Sequence, residues 1–292
     1  MRIGILLAPA KRPAPMLAIR SALLVTLLLA TSAQAQSLDG PESVDFDRSN
    51  QRQVISNKGA NEILVRDGGG VISLLTALPG GGSPHGLRVV GDNLWVAHGS
   101  TVRGFDATTG ATLGSVSISG ASFLNGMATD GRRLWVSDFS TRRIHAIDIS
   151  DPSNPSDSLI GTAPGTPNGL EYERSRERLL IAGWGSNAKV YELRLAPGAS
   201  VSQIVSTSSS NFDGVAIDCA GNVYVSSWGS SALLRFDAPL TAASVATTFA
   251  PGLSQPSDIR YVRAGGYILS PNFGADTVTT HQTGCLFDDS ME

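Results

Sequence analysis

The sequence predicts an all-β fold, a six-bladed β-propeller of four-stranded blades, and three observations predict it. A unit recurs six times at steps of 43, 40, 43, 45 and 44 residues. Each unit alternates short apolar strands with Gly-centred turns, and the 32 Gly and 15 Pro follow no collagen-like period. Radial repetition leaves only short, protected sheet edges, which lets such a chain be all-β without open edges.

The units run in order as "PESVDFDRSNQRQVISN" (41–57), "PHGLRVVGDNLWVAHG" (84–99), "LNGMATDGRRLWVSDF" (124–139), "PNGLEYERSRERLLIAGWG" (167–185), "FDGVAIDCAGNVYVSSWG" (212–229) and "PSDIRYVRAGGYILSPNFG" (256–274). The second unit shows the internal pattern: a strand at 87–90, a turn at Gly91-Asp92-Asn93, an apolar strand at 94–97, a third strand at 101–106 and a fourth at 111–118. The Ser-rich stretch 206–210 reads as an outer strand and its connection rather than as a low-complexity tract.

Ahead of the first unit, "MLAIRSALLVTLLLATSAQAQ" has a basic flank at Arg20, an apolar run over 21–30 and the small-x-small triplet Ala33-Gln34-Ala35. This is the pattern of a secretory signal peptide over 1–35 with cleavage before Gln36, and Met16 stands beside Met1 as a start. The apolar run is shorter than the ~20 residues that span a bilayer. The expected product, 36–292, is a single propeller domain, secreted or periplasmic, with no membrane association after cleavage. Export would let Cys219 and Cys285 pair, although two buried free thiols would look the same in sequence.

The net charge of −3 with 16% charged residues excludes a basic nucleic-acid footprint. The expected partner is a small molecule and the expected state a monomer.

In a propeller the innermost strands all start at one face, and each hairpin returns the second strand to that face. Glu42, His85, Asn125, Asn168, Asp213 and Ser257 therefore ring the mouth of the central channel. The segments after the second strands, with His98, Asp138, Phe139, Trp184, Trp228 and Phe273, surround it. Two carboxylates, two carboxamides, an imidazole and a hydroxyl about one axis suit a hard divalent cation, calcium first, because calcium takes oxygen ligands. Zinc fits less well, since neither cysteine falls at a ring position. Asn125, Asn168 and Asp213 each precede a glycine, and Asn-Gly and Asp-Gly are ordinary turn pairs, so a plain turn reading stands beside the metal reading. Glu42 argues for the metal, because Glu-Ser is no turn pair and an unpartnered carboxylate facing a narrow channel is costly.

"GPESVDFD", "LNGMATDG", "PNGLEYE" and "FDGVAIDCAGNVYVSSWG" resemble the metal-site segments of the senescence marker protein (regucalcin) and gluconolactonase-like propellers, over nearly all of 40–281. Related folds include the paraoxonases, diisopropylfluorophosphatase and strictosidine synthase. The resemblance implies a divalent metal held by Glu42, Asn125, Asn168 and Asp213. It also implies hydrolysis of a lactone or related ester, with Asp213 as both ligand and general base. One departure bears on substrate. The sugar-lactone hydrolases of this group carry an Arg two residues before the third-blade Asn, where this chain has Phe123. Phe123 and the Phe139, Trp184 and Trp228 rim suit a more apolar ligand, with His85, His98 and Ser257 as further substrate-binding candidates. Aromatics after a second strand are more often simple packing between blades.

No G-x-S-x-G elbow, H-E-x-x-H helix, P-loop or dinucleotide fingerprint occurs. Asp138 is expected to bond backbone within its own loop, and His145 and His281 fall on third strands away from the axis. Two rivals to the hydrolase remain: a non-catalytic binding propeller resembling NHL repeats, and an enzyme like strictosidine synthase, which shares "PES" in its first blade.

Overall fold

In the computed structural model the chain divides by compactness into Met1–Ala33 and Gln34–Glu292. The structure describes residues 36–285 apart from residue 81, together with Met1 and Gly4. The export signal read over 1–35 lies outside the described residues. Among those residues no helix is long and apolar enough to cross a membrane.

Six antiparallel sheets follow one another along the chain as the blades of a propeller, each built of consecutive hairpins. The innermost strands are β1 (Pro41–Asp47), β5 (Pro84–Val90), β9 (Leu124–Thr129), β13 (Thr166–Glu173), β17 (Phe212–Ile217) and β21 (Arg260–Val262). Five blades have four strands. The sixth has three among the described residues: β21, β22 (Tyr267–Asn272) and β23 (Thr277–Gln282). The six-bladed propeller expected from the repeat is thus the fold, with three strands described in its last blade. Among the described residues the stretch before Pro41 adds no strand to that blade: Gly40 N–H donates to Asp276 Oδ1 (2.7 Å) and Asp39 N–H to Asn57 Oδ1 (2.6 Å).

The ring closes instead through its inner layer and its core. Ser43 and Asp258 form a parallel bridge, and Asp258 N–H donates to the Glu42 carbonyl at 2.9 Å. The buried hydrophobic residues fall into six clusters, one at each blade-to-blade interface. The last joins Val44 and Ile55 of blade one to Val262, Leu269 and Val278 of blade six. Each sheet is apolar on both faces because it is packed on both sides, which explains near-continuous runs such as "LLIAG". Cys219 and Cys285 are disulfide-bonded, with Cα atoms 5.8 Å apart. The bond ties the segment after the last strand to the inner hairpin of blade five. Closing 66 residues of chain, it stabilises the fold by about 2–4 kcal/mol.

The glycines that follow the ring residues are not turn glycines. Gly86, Gly126, Gly169 and Gly214 lie inside inner strands, and each faces the backbone of the next blade. A Cβ on Gly169 would sit 2.5 Å from the Asp213 carbonyl oxygen, and one on Gly126 would collide with the Asn168 carbonyl. The Asn-Gly and Asp-Gly pairs therefore mark close approach of inner strands around a narrow lumen. Gly126→Ala or Gly169→Ala is expected to cost about 1–3 kcal/mol or more in urea unfolding, whereas Ala at the solvent-facing Gly68 should be near neutral.

Candidate functional site

All six ring residues are buried: Glu42, His85, Asn125, Asn168 and Asp213 are 2–6% exposed and Ser257 is fully buried. Their backbones are held from the neighbouring blade. Ser137 Oγ donates to the Asn168 carbonyl (2.6 Å) and Ser226 Oγ to the Ser257 carbonyl (2.7 Å). The side chains divide into two groups. Ser257 turns its hydroxyl to its own Gln255 carbonyl (3.3 Å), so it offers little to a ligand. Glu42 Oε2, Asn168 Oδ1, Asp213 Oδ1 and His85 Nδ1 are buried with no hydrogen-bond partner. Three unsatisfied oxygens from three blades make an acceptor-rich site, and buried acceptors without donors are costly.

Burial pushes the Asp213 carboxyl well above the usual carboxylate range, and the charges of Glu42 and Asp258 add to this; Lys58 and the Asn168 amide oppose it in part. Glu42 is raised by burial, with Lys58 opposing and Asp258 reinforcing. Burial drives His85 down to about 3, so its imidazole is neutral.

Sequence reasoning missed two features. The first is Lys58, in the turn after the second strand of blade one, whose Nζ lies 3.6 Å from Glu42 Oε2 and 5.1 Å from the Phe273 ring centroid. The six ring positions hold no Lys or Arg, yet the fold brings a cation to the ring from outside them. The second is a charged layer beneath the ring. Arg88, fully buried, donates Nη1 to Asp258 Oδ2 (3.1 Å) and to its neighbour Leu87's carbonyl (2.7 Å), and reaches the Leu170 carbonyl (3.4 Å) across the channel. Arg260 pairs with Asp45 (2.9 Å) and Glu171 (3.1 Å). The sequence carried a signal for this layer: three residues after each ring position stand Asp45, Arg88, Ala128, Glu171, Ala216 and Arg260, four charges in strands otherwise apolar.

The rim aromatics touch one another in blade order. His85 meets Phe123 (4.6 Å between centroids), Phe123 meets Phe139 (5.2 Å), Phe139 meets Trp184 (5.9 Å), Trp184 meets Trp228 (5.1 Å) and Trp228 meets Phe273 (5.8 Å). Lys58 over Phe273 extends the series to blade one. The packing reading of these residues is what the contacts show: the half-buried rings pack on one another from blade to blade. Trp228 Nε1–H is buried without an acceptor. His98 is buried beneath Gly82, its Nε2 unpartnered. Asp138 accepts from the backbone N–H groups of Ser122 (2.9 Å), Phe123 (3.3 Å), Ser140 (3.0 Å) and Thr141 (3.1 Å), and so positions Phe123.

Among the described residues no three His, Cys, Asp or Glu side chains form a metal-holding group. A cation at the ring would take carboxylate oxygens from Glu42 and Asp213 and amide oxygens from Asn168 and Asn125. The unsatisfied acceptors fit such an oxygen-seeking ion, and Lys58 is the group it would have to displace from Glu42.

No family model and no curated protein matches this chain. Solved structures do. Hydrazine synthase of Kuenenia stuttgartiensis aligns with TM-score 0.63 and 13% identity over 88% of this chain and 99% of that one. The nidogen/laminin complex gives 0.63 and 12% over 80% and 94%, and virginiamycin B lyase from Staphylococcus aureus 0.62 and 12% over 87% and 86%. The chain is a six-bladed β-propeller with structural neighbours among enzymes and non-enzymes.

The raised carboxyls give a stability prediction with a definite sign. Between about pH 4, where carboxyls of the unfolded chain titrate, and the higher values of the folded protein, the folded state binds more protons, so stability falls as pH rises. In metal-free protein the contribution of Glu42 and Asp213 should lower the thermal midpoint as the pH is raised above the ordinary carboxyl range, and Asp213→Asn should flatten that slope. A slope unchanged in the variant would show that Asp213 titrates normally.

Proposed function

We propose that the upper mouth is a divalent-cation site, calcium first, in an exported hydrolase-like propeller of the regucalcin and gluconolactonase type, acting on an apolar lactone or related ester. One observation carries the reading. Among the described residues the lumen carries five carboxyl groups, Glu42, Asp45, Asp213 and Asp258 buried and Glu171 partly buried, against three cations, Lys58, Arg88 and Arg260. The deficit is two charges. One charge of that deficit falls in the lower layer, where Asp45, Glu171 and Asp258 share Arg88 and Arg260, and one falls on Glu42 and Asp213, which have only Lys58 and whose unpartnered oxygens stand beside that of Asn168.

A bound cation would supply polarisation of the substrate carbonyl and stabilise developing negative charge. Asn125 and Asn168 would serve as neutral ligands. Asp213, offering one oxygen to the ion, would take the proton from the attacking water with the other. The aromatic arc from Phe123 to Trp228 would exclude water from the apolar part of the substrate, and the free indole N–H of Trp228 could orient its oxygen. The disulfide between Cys219 and Cys285 is at home in an oxidising compartment and supports export.

A second reading has its own observation. Lys58 already partners Glu42, so a ring charged by Lys58 and one retained proton would need no metal and would suit a binding propeller. The neighbours' names span both cases, with a synthase and a lyase on one side and the nidogen/laminin complex on the other.

The test is a panel of aliphatic lactones, aryl esters and phosphotriesters with and without chelator. Asp213→Asn should retain the fold and lose roughly 100-fold or more of the rate. Glu42→Gln should raise the calcium concentration needed for half-activity, since ligand charge sets affinity. Lys58→Met should lower that concentration by removing the competing ammonium. A rate indifferent to chelator and to Asp213→Asn would overturn the mechanism, and absence of turnover on every class would favour the binding reading.

A further inference from the structure

The opposite end of the channel holds a second pocket, of about 470 Å3, within the range of small-molecule sites. Five blades line it through their inner hairpin turns, and its floor is Arg260 gripped between Asp45 and Glu171. It is a compartment of its own. Arg48, at its rim, lies six residues beyond Glu42 on the same inner hairpin, about 20 Å along an extended chain, and Arg88 crosses the lumen between the two mouths from blade two to Leu170 and Asp258.

The charges at this pocket are not all balanced. Arg260 has two carboxylates, and Asp130 is spent on the Arg132 and Arg133 backbone N–H groups and the Arg133 guanidinium (2.9–3.0 Å). Arg48, in the turn of blade one, and Arg174, in the turn of blade four, line the same pocket, are exposed, and have no ion pair among the described residues. Blades one and four lie opposite each other in a six-membered ring, so the two guanidinium groups approach the pocket from opposite sides. Arg132 stands beside Arg174 in an adjoining hollow. A guanidinium presents a planar fork of N–H donors that matches phosphate and carboxylate oxygens two at a time.

We propose that this lower mouth binds a small organic anion, phosphorylated or polycarboxylate, held between Arg48 and Arg174 over the Arg260 floor. The site is independent of the hydrolytic reading of the upper ring. An anion with charged groups at both ends spans the two arginines, whereas a neutral or singly charged molecule satisfies at most one. Inorganic pyrophosphate represents the phosphorylated class and citrate the polycarboxylate class.

Isothermal titration calorimetry of the full chain in 0.15 M NaCl tests the site with both probes. Saturable binding of at least one is expected. Arg48→Ala combined with Arg174→Ala should weaken it about tenfold or more, the scale of lost charge-assisted hydrogen bonds, while Asp213→Asn at the other mouth should leave it within about twofold. Because both arginines are exposed, the double variant should keep its circular dichroism and thermal midpoint, and Arg174→Gln alone supplies a milder arm should it not. Preference for pyrophosphate or for citrate identifies the ligand class. Failure of both probes to bind, equal affinity in the arginine variants, or loss of binding in Asp213→Asn would each overturn the proposal.

Discussion

Uncompensated negative charge in a narrow lumen is the constraint around which the rest of this propeller is arranged. Carboxylates removed from water must be paired, protonated or bound to a cation, because the cost of leaving them bare exceeds the margin by which proteins are stable. The lower level meets most of the requirement internally: Arg88 and Arg260 stretch between blades and bind Asp258, Asp45 and Glu171, two cations for three carboxyl groups. The upper level does so only partly, through one half-exposed Lys58 on Glu42. That difference leaves the upper ring with buried acceptors that the lower layer largely pairs.

Geometry and charge support each other here. The inner strands approach so closely that four of the six blades need glycine directly after the ring residue. In the other two blades that position is Ser43 and Asp258, which bond each other at 2.7 Å. The same two residues form the bridge where the last blade meets the first. Closure of a propeller whose sixth blade has three described strands therefore rests on a polar contact at the lumen and the apolar cluster around Val44 and Leu269, while the disulfide to Cys285 fastens the last blade to blade five. Bringing the six strands together for closure also forces Glu42 and Asp213 near one another.

Much of this was legible in the sequence because a repeat turns one observation into six. The strand order, the ring positions and the face on which they lie all followed from aligning the units, and the backbone-holding role of Asp138 followed from its place after a second strand. What escaped had no such redundancy. Lys58 sits in a turn after the second strand, and nothing in its neighbourhood shows that the side chain folds back over Phe273 towards Glu42. The Asn-Gly pairs read equally as turns because spacing alone does not distinguish a turn glycine from one pressed against a neighbouring strand. The charged layer was visible at a fixed offset from the ring, but its pairing pattern depends on which blades face each other across the channel. A chain of rim aromatics was expected; their contact from blade to blade required the curvature of the ring.

The most direct measurement is the anomalous X-ray signal from crystals grown at pH 7.5 with a divalent cation such as manganese or calcium. The account predicts a peak among the side-chain oxygens of Glu42, Asn168 and Asp213, at about 2.3–2.6 Å if the ion is calcium, with Lys58 displaced from Glu42. A ring without a peak at saturating cation, with Lys58 still bonded to Glu42, would contradict it.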